Sequence, residues 1–136
     1  MRYLDLARSW AIIVGVILLA AGIGGFFPNA FVGRADSFLP TDRVHDSVHL
    51  VTGLIALGIG LGLRGETLAN GVLGFGILYA VIFVAMLVSP TLFGMVSAPA
   101  NEAIHVVHAA VAVVSLAIGY LARTQETSEV GVTRSR

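Results

Sequence analysis

Four histidines and two acids stand where this sequence could do chemistry. His45 and His49 lie four residues apart and His105 and His108 three apart, with Asp46 beside the first pair and Glu102 ahead of the second. On a helix, residues three or four apart share a face. Asp46-Ser-Val-His49 and Glu102-Ala-Ile-His105 would therefore each present an acid next to an imidazole. Imidazoles from two helices can ligate haem iron axially, and His49 with His105 would be that pair. Alternatively, His45, His49, His105 and His108 with Asp46 and Glu102 supply donors that zinc, copper or iron accept.

Competing uses of the same residues narrow the field. Di-iron carboxylate bundles use acid-x-x-His spacing but draw further carboxylates from their other two helices. The apolar runs outside these two motifs contain none. A proton or ion relay would need polar residues continuing inward, and beyond His108 only Thr52, Tyr79 and Ser115 are available. A structural reading asks least. Acids near helix N-termini are favoured by the dipole, the histidines would bond to them, to carbonyls or to interfacial water, and Thr41 and Ser97 would cap the helices, with Pro99 in a first turn. No cysteine is present, which removes thiolate sites and disulfides. No nucleophile–base order can be read around Ser47 or Ser89, so no catalytic residue is assigned.

The elements that must position these residues are set by composition. Of 136 residues, 57% are hydrophobic and 12% charged, with net charge zero and eight basic residues, all arginine. A soluble domain of this size needs a larger polar shell, and nothing offers a basic face for nucleic acid. Lipid supplies the missing outer layer. Charge-free runs predict spans at about 10–27, 47–63, 68–88 and 103–122, each near the length that crosses roughly 30 Å of hydrocarbon as a helix. The second is short for the task. Pro90, Gly94 and Pro99 separate the third from the fourth. Residues 1–123 form the membrane domain, and 124–136, polar and aperiodic, read as a disordered cytoplasmic tail.

Arginine placement gives the sidedness. With the N-terminus inside, Arg2, Arg8, Arg64, Arg123, Arg134 and Arg136 are cytoplasmic, and only Arg34 and Arg43 lie outside. Both termini are then cytoplasmic in a multi-pass protein of the cell (inner or plasma) membrane. Small-x-x-x-small pairs (Gly58 with Gly62, Ala20 with Gly24, Ala21 with Gly25) predict close helix packing within the chain, or contact with a second copy or a larger complex. The two halves also look alike. Pro28 with Phe31 and Pro90 with Phe93 follow the first and third helices, and the acid-x-x-His motifs open the second and fourth. The fold predicted is all-α, a four-transmembrane-helix bundle built from two similar helical hairpins.

Gly22-Ile-Gly-Gly-Phe-Phe-Pro28, His45-Asp-Ser-Val-His49-Leu-Val-Thr-Gly53 and Asn101-Glu-Ala-Ile-His105-Val-Val-His108 together resemble a bacterial and archaeal family of small four-helix integral membrane proteins, known only as a domain of unknown function. The resemblance runs from Trp10 to Tyr120. It implies the four-helix topology and histidines at the outer helix starts, and it implies no activity. Ala109 stands where the second helix has Gly53, so the halves are not equivalent there. The expectation is a non-enzymatic structural, accessory or interaction component of the membrane, with no cofactor by default. The alternative is a haem- or metal-binding redox protein.

Overall fold

The computed structural model describes residues 2–134. Four helices make the fold: α1 (Tyr3–Gly25), α2 (Arg43–Gly62), α3 (Gly65–Val88) and α4 (Glu102–Arg134). Each is long and apolar enough to cross a membrane, and no more than 39% of any of the four apolar stretches is buried inside the protein. Ile13, Ile17, Leu54, Leu61, Val81 and Val113, all more than half exposed, point outward. A surface of this kind in water would far exceed the apolar patches soluble monomers tolerate. It is the surface of a protein solvated by lipid.

The helix ends differ from the sequence expectation in ways that local chemistry explains. α1 starts at Tyr3 rather than near residue 10. Asp5 suits the positive end of the helix, and the Arg8 guanidinium donates to the carbonyls of Gly60 and Leu63, the latter at 2.9 Å. It thereby satisfies carbonyls that the end of α2 leaves unpaired. α2 begins at Arg43, which adds a turn and gives 20 residues, enough to span. Its N-cap is Asp42, whose Oδ1 accepts the His45 N–H at 2.9 Å. Asn101 caps α4 through the Ile104 N–H at 2.9 Å. Thr41 and Ser97 are thus not the caps, and Pro99 precedes the helix. α4 continues to Arg134, so residues 124–134 are helical instead of a structureless tail. A helix already nucleated by a buried span elongates at little cost. Ser135 and Arg136 lie outside the described residues.

Two tight hairpins, α1 with α2 and α3 with α4, build the bundle, and α1 touches both helices of the second hairpin. Each hairpin closes on reciprocal glycines. A Cβ on Gly15 would meet Leu57, and one on Gly53 would meet Leu19. In the second hairpin Gly76 faces Leu116 and Gly119 faces Leu73. Such close approach replaces the hydrophobic effect as the packing force in lipid. Gly58 and Gly62 were expected to pack, but nothing lies within 4 Å of a Cβ built on either. Both sit on the outer surface.

The interior is layered. Ala7, Ala11, Leu68, Ala69, Val72, Ile118 and Ala122 fill the end where α1 begins, and there the Tyr3 N–H meets the Gln125 side chain at 2.9 Å. Val14, Leu18, Ala56, Phe75, Tyr79, Val111 and Ala112 form the middle. Trp10 ties the layers to α4 by donating to the Ser115 hydroxyl at 2.8 Å. The third layer, at the opposite end, is made of histidine.

Candidate metal centre

α2 and α4 never pack backbone to backbone. Among the described residues no Cα of one lies within 8 Å of a Cα of the other. Imidazoles bridge that gap. His45 and His49, one turn apart on α2, have ring centroids 4.5 Å apart. His108 on α4 meets them at 5.7 Å and 6.2 Å. One nitrogen from each ring can be chosen so that all three lie within 4.8 Å of one another. His45 and His108 are each 4% exposed and His49 9%.

The hydrogen bonding of the rings differs from one histidine to the next. His108 Nδ1 lies 2.8 Å from the Ile104 carbonyl of its own helix. A carbonyl can only accept, so Nδ1 carries the proton and the Nε2 lone pair is left free to accept or to ligate. Metal-ligating histidines are oriented by this type of second bond. Neither ring nitrogen of His45, nor Nδ1 of His49, has a hydrogen-bond partner among the described residues. Buried polar atoms are paired in the great majority of cases; among the described residues the other buried side-chain atoms without a partner are Asp46 Oδ2 and His105 Nδ1. Three atoms 4.8 Å apart lie about 2.8 Å from their centre, against about 2.0–2.1 Å for a metal–imidazole bond. An inward shift of roughly 0.7 Å each, within the reach of small side-chain rotations, would close the shell.

A cavity of about 60 Å³ opens beside the rings. On this measure a water needs roughly 10–15 Å³, while pockets for organic ligands run to about 300–1,000 Å³. The space is of the order of a few waters and well below the size of organic-ligand pockets. Tyr79 forms one wall, stacked on His108 with centroids 5.7 Å apart and bonded through its hydroxyl to Thr52 at 3.0 Å. Met86 lines it from α3, and Leu92, Met95 and Val96 roof it from the loop between α3 and α4. Leu92 and Phe93 in that loop hold φ of 46° and 58°. This region is costly for bulky residues, by about 1–3 kcal/mol each, and persists where surrounding structure enforces it. The enforcement is visible. Ser97 donates its backbone N–H and its hydroxyl, the latter at 2.8 Å, to Oδ2 of Asp42. The Asn101 side chain donates to the Phe38 carbonyl at 3.0 Å.

The sequence motifs are therefore split. His45, His49 and His108 come together. His105, the counterpart of His49 in the repeat, turns to Phe83 with centroids 6.4 Å apart and stands outside the trio. Glu102 is exposed. Asp46 is 1% exposed but faces α1, where its carboxyl occupies the space a side chain on Gly25 would need and accepts from Thr41 at 2.6 Å. Met86 and Met95 were not among the residues that the sequence singled out, and Tyr79 entered only as one of the few polar residues beyond His108. Their signal is faint: Tyr79, Ile82 and Met86 repeat at helical spacing.

No protein family, no curated protein and no solved structure matches this chain.

Proposed function

We propose that this is a non-enzymatic multi-pass membrane protein that holds a transition-metal ion between its two hairpins, through His45, His49 and His108. The observation that carries the proposal is the convergence of three buried imidazoles from two helices, with unpartnered ring nitrogens, on a cavity of ionic size. That size argues against haem and against an organic substrate, and so for an accessory or carrier role. Two apolar layers beneath the site argue against a continuous proton path. The arginine distribution supports a cell-membrane location with both termini cytoplasmic and the site near the outer face. The shared motifs His45–Gly53 and Asn101–His108 support membership of the small four-helix family. The exposed stripe of Gly58 and Gly62 is compatible with association with a second copy or a larger complex.

The test is elemental analysis and metal titration of detergent-purified protein. About one ion per chain is expected, lost in His45→Ala, His49→Ala or His108→Ala and retained in His105→Ala. Absence of stoichiometric metal, or a Soret band, would overturn the proposal.

A further inference from the structure

Resting on that metal-site reading, we infer that the ion is monovalent copper, bound by His45, His49 and His108 and completed by the thioether of Met86. Two independent features of the cavity lead there. The first is charge. Every potential ligand is neutral: three imidazoles and the sulfurs of Met86 and Met95 line the cavity, and no carboxylate does. Asp46, the nearest acid in sequence, is turned to the opposite face of α2. The cost of burying an ion in a low-dielectric interior rises with the square of its charge. A doubly charged zinc, copper or iron ion thus carries about four times the penalty of a singly charged one, and the nearest carboxylate acting on the rings, Asp42, sits at the N-cap of α2 and does not line the cavity. Divalent sites of similar histidine content meet this with a carboxylate or thiolate ligand, or with a bound water in the fourth position, where this cavity offers a thioether.

The second feature is softness. The chain has three methionines, and the two beyond Met1 both line this cavity. Thioethers are soft ligands that select Cu(I), while imidazole is indifferent among zinc, copper and iron. Met86 is 1% exposed, on the buried wall, and Met95 is 69% exposed, on the loop that roofs the cavity. This gradient gives Met86 the role of fourth ligand and Met95 that of capturing the ion at the mouth.

The experiment is a competition. Purified protein in detergent, kept anaerobic with ascorbate, is titrated with Cu(I) against bicinchoninate and separately with Zn(II). One equivalent of Cu(I) is expected, not displaced by a tenfold excess of zinc. Met86→Leu, which preserves volume, should weaken Cu(I) binding by about tenfold or more and remove a Cu–S shell from the X-ray absorption spectrum. Unchanged elution and helicity would show that the variant is folded. Tight zinc binding that Cu(I) does not displace, or a Met86→Leu protein with unaltered affinity and spectrum, would overturn the copper inference and leave the metal site standing. Failure of both metals to bind would overturn the site itself.

Discussion

Replacing Asp42 by asparagine separates two jobs that one carboxylate does. Oδ1 caps α2 through the His45 N–H, and Oδ2 receives the backbone N–H and hydroxyl of Ser97, pinning the loop that roofs the histidine cavity. An asparagine has one oxygen. It caps a helix about as well as aspartate but then presents an NH₂ to two Ser97 donors. Loss of those bonds, partly open to solvent, should cost about 1–2 kcal/mol. Asp42→Ala removes the cap as well, adding about 1 kcal/mol. The loop, already strained at Leu92 and Phe93, should open first. Amide hydrogen exchange in detergent micelles reads this directly: residues 92–97 should exchange about tenfold faster in Asp42→Asn, with α1 and the body of α3 unchanged. The carboxylate also carries a pH signature. Burial pushes its pKa up, but hydrogen bonds from the His45 and Ser97 backbones, the Ser97 hydroxyl and the Ala98 backbone outweigh this and bring it down to about 2. A depressed pKa means stability that is fully present above the ordinary carboxylate value and lost as pH falls from there through about 2. Wild-type loop protection should therefore fall across that window, and that of Asp42→Asn should not. Identical exchange in the variant and wild type would refute the claim that Asp42 holds the roof.

Other perturbations test the packing and the site. Gly119→Ala places a Cβ 2.6 Å from the Leu73 backbone nitrogen, so α3 and α4 must part, and thermal melts in detergent should show a loss of about 2 kcal/mol or more. Gly58→Ala meets nothing and should be neutral or slightly stabilising in the same assay. Trp10→Phe leaves the fully buried Ser115 hydroxyl without its donor and should cost about 1 kcal/mol, read by the same melts. Because protons compete with metal for imidazole, metal affinity measured by titration should weaken as the pH is lowered through the range in which these buried imidazoles take up protons, and an affinity unchanged through that range would count against histidine ligation.

Much of this protein was legible from the order of its residues. Charge-free runs of spanning length, arginines between the first three and prolines after the first and third pointed to an all-α, four-span hairpin pair, because in lipid every backbone group must bond within its own helix and the period of the chain then decides the fold. The chemistry was half legible. His45 and His49 share a face by spacing alone, but His105 and His108 lie only about 60° apart around a helix of 3.6 residues per turn, and either could face inward. Rotation of α4 decides between them. It is set by Gly76 and Gly119 against leucines and by Ser115 against Trp10, contacts between residues distant in sequence. Those contacts turn His108 to the gap and His105 to Phe83. The same docking brings in Met86 and folds the strained 89–101 loop over the cavity. Local pattern determines which segments are helices and which side of them is greasy. Only the close approach of one hairpin to the other determines which polar groups share an enclosed space, and the character of any site there follows from that.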